Sequence, residues 1–122
     1  MTLKECYAAM GGDYDEVMGR LRSERLVQKF VLKFLDDGSY DLLCRSLEAG
    51  DRGEAFRAAH TIKGVCGNLA FTNLLASSER LTEALRDGAP PKPGEEELIR
   101  QVQEDYQRAA QAIRAFQEGL QA

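Results

Sequence analysis

The sequence predicts an all-α protein, an antiparallel four-helix bundle with additional short N-terminal helices. Apolar residues recur every three or four positions along most of the chain, as they do on one face of an α-helix. Gly, Asp and Pro interrupt this pattern at short intervals, and no stretch alternates in the manner of a β-strand. Amphipathic helices with short connections pack as antiparallel neighbours. We therefore expect a single domain over residues 1–122, with short helices over about 3–22 and the bundle over about 23–120.

Two short helices are predicted before the bundle. The segment from Leu3 to Met10 is amphipathic and is closed by Gly11-Gly12, since glycine commonly follows a helix C-terminus. Asp13 can cap a second helix that runs through Leu21, because a carboxylate in that position accepts a backbone N–H of the first turn.

Two stronger helices follow. The first starts at Ser23 and stops at 36–38, and the second starts at Ser39 and ends at Gly50. Their apolar residues are spaced to face the core. In the first helix these are Leu26, Val27, Phe30, Val31 and Phe34, and in the second they are Leu42, Leu43 and Leu47.

The remaining chain contains three more predicted helices. Asp51 is the expected N-cap of the first, which should turn near 70–73. Thr72 or Asn73 should cap the second, with Gly88 ending it and a Pro- and Gly-rich loop over 87–94 following. The third begins near Glu95, and its apolar stripe contains Leu98, Val102, Tyr106, Ala109, Ile113, Phe116 and Leu120.

Composition narrows the class of protein. A hydrophobic content of 43% with 30% charged residues is ordinary for a soluble globular domain. The formal charge of −4 argues against nucleic acid as the main partner, and no apolar run is long enough to span a membrane. The N-terminal residues lack the order of a signal peptide, and the three cysteines form neither a metal pattern nor a disulfide framework. We expect a cytoplasmic, freestanding monomer with buried free thiols.

His60 is the only histidine in the chain and lies in the helix that Asp51 is expected to cap. At roughly 100° per residue, its side chain points away from the apolar stripe, which is formed mainly by Ala58, Ile62, Val65 and Leu69. A lone histidine in a helix is usually structural or a neutral surface residue. Its position on the polar face predicts a ring that is open to solvent or to a partner.

The neighbours of His60 favour a functional interpretation. Gly64 and Gly67 lie on the same face, although a glycine inside a helix costs about 1 kcal/mol relative to alanine. They remove bulk around the ring, and Lys63 places a positive charge beside it. An uncovered imidazole beside a cation suits a nucleophile that accepts an anionic group from a large donor.

The residues Ala59-His60-Thr61-Ile62-Lys63-Gly64, followed by Gly67-Asn68-Leu69, resemble the signature of histidine-containing phosphotransfer (HPt) domains. That signature is A-H-x-[LI]-K-G, then a small residue and a leucine-glycine pair. The resemblance extends over about residues 3–120. Ala70 stands where the family usually has glycine, so we expect this helix to run slightly longer or to end differently.

The resemblance implies a phosphorelay intermediate without kinase activity of its own. His60 would accept a phosphoryl group, through Nε2, from the aspartate of a response-regulator or hybrid-kinase receiver domain and pass it to another receiver. The divalent metal, expected to be Mg²⁺, would belong to the receiver, and the chain itself would bind no cofactor or metal. Consistent with this, the sequence has no phosphate-cradling G-x-x-x-x-G-K-[ST] loop.

The resemblance also suggests roles for the neighbours of His60. Lys63 would offset the charge of the phosphoryl oxygens, and Gly64 and Gly67 would give the receiver steric access. Three further residues are candidates for partner binding, each with a simpler alternative. They are Phe56, which docks a receiver or is partly buried, Arg57, which assists Lys63 or is solvated, and Asn68, which bonds locally or is solvated.

Two other functions fit the same residues. The protein could be a non-catalytic helical adaptor that binds receiver domains through this face, with Lys63 as a docking charge. It could also be a phosphoryl sink that drains one receiver, since a carrier and a sink need the same site. A metal site is not expected, because one histidine without a second ligand at helical spacing offers too few donors.

Overall fold

A computed structural model describes residues 1–121, and that part of the chain contains helices and no strand. Each helix carries the apolar periodicity predicted above, and a 3₁₀ turn over Arg86–Gly88 follows the sixth. The all-α prediction is confirmed. The helices are α1 (Leu3–Met10), α2 (Tyr14–Leu21), α3 (Glu24–Phe34), α4 (Ser39–Ala49), α5 (Arg52–Leu69), α6 (Thr72–Leu85) and α7 (Glu95–Gln121).

The last four helices form the antiparallel bundle. Helix α5 packs against α4 and α6, and α6 packs against α7, so that consecutive helices run in opposite directions. The rings of Tyr40 on α4 and Tyr106 on α7 stack with centroids 3.8 Å apart and close the bundle between its first and last helices. The connections from α4 to α5 and from α5 to α6 are short, which places these helices antiparallel beside one another.

The three N-terminal helices cover one end and one side of the bundle. Helix α1 packs along α7, and the buried face of α3 contributes Val27, Val31 and Phe34 to the core. The ring of Phe34 meets Phe71, at the start of α6, edge to face with centroids 5.1 Å apart. Aromatic pairs in this geometry add stability beyond the apolar area they bury.

Several predicted core positions prove to be exposed. Leu26 and Phe30 on α3 are 36% and 38% exposed, and Leu120 near the end of α7 is 48% exposed. Their spacing in the sequence is helical, but no other helix of residues 1–121 covers that edge of the apolar stripe. Leu42 and Leu47 on α4 are only partly buried against the core.

The start of α6 also differs from the prediction. Neither Thr72 nor Asn73 caps the helix, because Phe71 occupies the N-cap position and makes no side-chain hydrogen bond there. Phe71 is instead almost fully buried. Burial of an aromatic side chain therefore takes the place of a polar cap. The helix ends at Leu85, before the predicted Gly88.

The expectation that alanine at position 70 would lengthen or alter the end of α5 is wrong. The helix ends at Leu69, and Ala70 adopts the left-handed conformation with φ 58° and ψ 41°, which a glycine would take at this place. The methyl group of Ala70 is buried, and its carbonyl accepts a hydrogen bond from the backbone N–H of Asp13. Contacts with the N-terminal segment thus hold the turn in the geometry that glycine usually supplies.

The N-terminal helices supply donors to the last carbonyls of α5. The hydroxyl of Tyr7 donates to the Leu69 carbonyl at 2.8 Å, and Arg20 Nη1 donates to the carbonyls of Gly67 and Asn68. The final turn of a helix leaves its carbonyls without intrahelical partners. Here residues from α1 and α2 satisfy them.

A largely buried ion pair joins the starts of two bundle helices. Arg52, the first residue of α5, pairs with Glu95, the first residue of α7, and the two side chains are only 18% and 10% exposed. Arg52 Nη1 lies 3.1 Å from Glu95 Oε2, and its Nε donates to the carbonyl of Ala89. The hydrogen bonds that Arg52 donates to the Glu95 carboxylate raise the pKa of Arg52. One guanidinium therefore fixes α5, α7 and the loop before α7 together.

Candidate functional site

His60 lies in the middle of α5, on the face that points away from the bundle core. The opposite face is buried, as the sequence predicted, with Ala58, Ile62 and Leu69 in the core and Val65 partly buried. Small residues at 55, 58 and 59 let α5 approach its neighbours closely. The imidazole itself is exposed. A reagent or partner can therefore reach the ring without any rearrangement of the bundle.

An aromatic ring lies next to the imidazole. Phe56, one turn before His60, is partly buried against the core. Its ring is 6.0 Å from the imidazole between centroids, and the two planes differ by 18°. The guanidinium carbon of Arg86, just after α6, lies 5.6 Å from the centroid of the same phenyl ring. Phe56 is thus in contact with His60 on its own helix and with Arg86 beyond the next.

Two charged residues line the α6 side of the site. Arg86 Nη2 donates to Glu83 Oε1 at 2.6 Å, in an exposed pair. Hydrogen bonds from Arg86 lower the pKa of Glu83, and the positive charge of Lys63 lowers it further. Lys63 is half-buried on α5, and its charge acts on Glu83 across the boundary between the two helices. The cation predicted beside His60 has an acidic neighbour on α6.

The two glycines leave the surface around His60 open. A Cβ atom placed on Gly64 would meet nothing within 4 Å, and one placed on Gly67 would meet only Leu75 Cδ1 at 3.9 Å. Neither glycine has a positive φ, since both lie in regular helix. Their backbone conformation does not require glycine. What glycine provides at these positions is open space above the helix, which a larger side chain would fill.

Arg57 and Asn68 lie on the other flank of His60. Arg57 Nε donates to Glu54 Oε1 at 2.9 Å, so this guanidinium is paired with a carboxylate on its own helix. The side chain of Asn68 is exposed and makes no hydrogen bond to any other residue in 1–121, while its carbonyl is held by Arg20. The arrangement favours the solvated alternative for both side chains.

A cleft of about 390 Å³ opens beside this flank, between α5 and the pair α2 and α3. Its floor is apolar and includes Phe34 and Leu69, and the exposed ring of Phe30 forms part of its wall. Charged and polar side chains complete it, namely Arg20, Lys33, Asp37 and Asn68. His60 thus lies between a charged edge on the α6 side and an apolar cleft on the α3 side.

Residues 1–121 contain no group of three or more His, Cys, Asp and Glu side chains placed to hold a metal ion. In the same range, no helix combines the length and the apolar character needed to cross a bilayer. Cys6 and Cys66 are buried, and burial raises the pKa of both thiols, that of Cys6 to about 11. Neither thiol lies at the exposed face that carries His60.

Sequence reasoning did not identify two residues of the site. Glu83 and Arg86 come from α6 and the turn after it, and they reach the His60 face only because α6 packs beside α5. Their spacing of three indicates an ion pair on a helix surface, which is the commonest meaning of such a pair. Nothing in the spacing indicates that the guanidinium would contact Phe56.

Comparison with known proteins gives one match. The model of a protein family described as "Hpt domain" matches residues 26–112, which is well over half of the chain. The matched region includes most of α3, all of α4 to α6, most of α7 and every residue of the site described above except the donors from α1 and α2. No curated protein and no solved structure matches the chain.

Proposed function

The chain belongs to the Hpt domain family, whose members carry out histidine phosphotransfer in phosphorelays, and from this premise we propose that His60 is its phosphoacceptor. The donor and the acceptor would be aspartates of receiver domains, in response regulators or hybrid kinases. The protein would carry the phosphoryl group between them without ATP-dependent kinase activity of its own.

The observation that carries this proposal is the exposure of His60 on a helix face that is free of bulk. The imidazole is exposed, and a Cβ on the neighbouring Gly64 would meet nothing within 4 Å. A phosphorylated aspartate lies within the surface of a large protein. The imidazole that accepts the phosphoryl group must therefore project from its helix, and the residues around the imidazole must be small. A buried or merely structural histidine needs neither property.

The transfer itself is a displacement at phosphorus. The Nε2 lone pair of the neutral imidazole forms a bond to phosphorus while the bond between phosphorus and the aspartyl oxygen breaks, and the electron pair leaves with the carboxylate. The proton stays on Nδ1, so the ring becomes a phosphorylated cation. Such transfers depend mainly on positioning and charge balance. The divalent metal of the receiver, expected to be Mg²⁺, would neutralise the phosphoryl oxygens during this step.

Lys63 would supply positive charge from the side of the phosphocarrier. In the resting protein the charge of Lys63 lowers the pKa of Glu83, but the main partner of Glu83 is Arg86. Because Arg86 holds Glu83 by hydrogen bonds, Lys63 is free to turn toward an arriving phosphoryl group without leaving a carboxylate unpaired. Gly64 and Gly67 would let the receiver surface close over the ring, and the cleft beside Asn68 offers apolar contact area.

Replacement of His60 tests the assignment. The His60→Gln protein, incubated with a receiver phosphorylated by acetyl phosphate, should acquire no label, while the wild-type protein should. Because a phosphoramidate is labile in acid and stable in alkali, acid should remove the wild-type label and alkali should not. Circular dichroism should give the same helix content for both proteins, since the side chain is exposed. Label on the variant would rule out His60 as the acceptor.

The same assay separates the two other functions. An adaptor would bind the receiver with unchanged affinity in the His60→Gln variant and would never acquire label. A phosphoryl sink would take label from one receiver and, in a pulse-chase experiment, would not deliver it to a second. A carrier should transfer the label in both steps.

A further inference from the structure

We propose that Phe56 and Arg86 are positioning residues that hold the imidazole of His60 in one orientation for phosphoryl transfer. The inference rests on the proposed function of His60 and adds residues that the family signature does not include. Neither residue would touch the phosphoryl group. Phe56 would act on the ring directly, and Arg86 would act through Phe56.

The phenyl ring of Phe56 stacks on the imidazole of His60. The planes of Phe56 and His60 are within 18° of parallel, and their centroids are 6.0 Å apart. Offset stacked pairs occupy the range of about 4.5–7 Å. Side chains on an α-helix lean back over the preceding turn, which directs His60 toward the residue four positions earlier. The phenyl ring therefore lies where it can favour one rotamer of an otherwise exposed and mobile side chain.

The phenyl ring of Phe56 is itself held in place by its neighbours. Phe56 is partly buried, so part of its side chain is packed against the core. The guanidinium carbon of Arg86 lies 5.6 Å from the ring centroid, within the distance of about 6 Å at which a cation is attracted to an aromatic face. Glu83 fixes that guanidinium through two hydrogen bonds. A continuous set of contacts thus joins α6 to the imidazole on α5.

Orientation matters for the step proposed above. The Nε2 lone pair must point along the line of the phosphorus–oxygen bond that breaks, and a small misplacement of reacting atoms lowers rates strongly. An aromatic pair of this kind shifts the balance between two rotamers by about two- to tenfold. The stack would therefore raise the fraction of encounters in which the ring is correctly placed, without changing the affinity for the receiver.

This role differs from that of a docking residue. If Phe56 were part of the docking surface, its loss would raise the receiver concentration needed for half-maximal transfer. If it positions the ring, its loss should lower the maximal rate and leave that concentration unchanged. The same distinction applies to Arg86, whose charge could otherwise contribute to docking.

Four variants test the proposal. Phe56→Leu removes the aromatic face and keeps the bulk, Phe56→Tyr keeps the face, and Arg86→Gln removes the cation. Arg100→Gln is the matched control, because Arg100 also forms an exposed pair with a glutamate three residues earlier and contacts no aromatic ring among the described residues. Since Arg86 is exposed at the protein surface, the Arg86→Gln protein should fold even if Phe56→Leu does not.

Nuclear magnetic resonance provides a readout that does not depend on transfer. His60 is the only histidine, so an untagged protein gives a single set of imidazole signals. The phenyl ring current should shift the imidazole protons of the wild-type and Phe56→Tyr proteins relative to Phe56→Leu. Arg86→Gln should show an intermediate shift and Arg100→Gln the wild-type one. Identical imidazole shifts in wild-type, Phe56→Leu and Arg86→Gln proteins would overturn the proposal.

Single-turnover transfer at increasing receiver concentration gives the second readout. The maximal rate should fall about two- to tenfold in Phe56→Leu, less in Arg86→Gln, and be restored in Phe56→Tyr, with unchanged half-saturation. A changed half-saturation with an unchanged maximal rate would show docking and contradict the proposal. A wild-type protein that accepts no phosphoryl group would overturn the proposed function, while the imidazole signals would still decide whether the stack holds the ring.

Discussion

Gly64 and Gly67 occupy interior positions of α5, where each glycine costs about 1 kcal/mol relative to alanine. Neither has a backbone conformation that requires glycine, and neither is pressed against a neighbouring side chain. The helix would be more stable without them. At the scale of single residues, the surface around His60 is therefore built at the expense of helix stability, which is expected where a partner must approach closely.

Substitutions of Gly64 should affect the stability of the protein and the rate of phosphotransfer in different ways. Gly64→Ala should raise the free energy of unfolding by about 1 kcal/mol, because the new Cβ meets no neighbour and alanine favours the helix. Gly64→Gln should also fold, yet should slow phosphotransfer at least tenfold, since its side chain occupies the space in front of the imidazole. Urea unfolding and single-turnover transfer measure the two effects.

Gly53 supplies the matched control. It lies in the first turn of α5, is exposed, and a Cβ there would meet only Asp51 Oδ1 at 3.8 Å. Gly53→Gln should change stability by a similar amount and leave transfer unaffected. Equal transfer rates for the two glutamine variants would contradict the steric argument for Gly64.

The sequence was sufficient to predict much of this site, for a physical reason. Helical periodicity alone sets the angle of each side chain about the axis of α5, so the exposure of His60 and the positions of Lys63 and Gly64 follow from it. Glu83 and Arg86 could not be predicted in the same way. Their contact with the site depends on how α6 is rotated and shifted against α5, which is decided by packing of both helices in the core.

The turn between α5 and α6 shows what fixes the end of an element. Ala70 has φ 58°, a conformation that costs an alanine about 1–2 kcal/mol. Its methyl group is buried, and its carbonyl accepts the backbone N–H of Asp13 at 2.8 Å. Burial and hydrogen bonding offset the backbone strain. The sequence alone predicted a different helix end, because these contacts come from residues far away in the chain.

Substitution of Ala70 tests this balance. Ala70→Gly should change the free energy of unfolding by less than about 1 kcal/mol, because relief of the strain is offset by loss of the buried methyl group and a more flexible unfolded chain. Ala70→Val should destabilise the protein by about 2 kcal/mol or more, since a β-branched residue is strongly disfavoured at positive φ. Urea unfolding of the three proteins checks both values. A marked stabilisation by glycine would show that the contacts do not offset the strain.

The apolar stripes of α3 and α7 illustrate a limit of periodicity at the same scale. Phe30 and Leu120 repeat at helical spacing and were predicted to face the core, yet they are 38% and 48% exposed. The pattern identifies an apolar face, but it does not show how much of that face a neighbouring helix will cover. In α3 the uncovered edge borders the cleft beside α5. In α7 it lies at the last turn.

The molecule as a whole depends on a few contacts between segments distant in sequence. The pair Arg52–Glu95 joins the first residues of α5 and α7, and it is the least exposed ion pair among the described residues. Exposed pairs contribute little to stability, whereas loss of one partner from a buried pair leaves a charge without compensation. Glu95 therefore contributes more to stability than Glu97, whose pair with Arg100 is exposed.

Removal of Arg52 should have a global effect. Arg52→Met should lower the free energy of unfolding by about 2–3 kcal/mol, less than for a fully buried pair because both side chains retain some contact with water. Arg57→Met, which breaks an exposed pair on the same helix, should cost no more than about 0.5 kcal/mol. Urea unfolding compares the two. Equal losses would show that burial does not strengthen the first pair.

The donors that bond the last carbonyls of α5 and the carbonyl of Ala70 come from Tyr7, Asp13 and Arg20, while the match to the family model begins at residue 26. A fragment cut at the limits of that match would retain His60, the proposed phosphoacceptor, and its neighbours on α5. It would lose the groups that bond the carbonyls of 67–70, seven to ten residues after His60. The end of α5 is thus completed by hydrogen bonds from residues that precede the matched region.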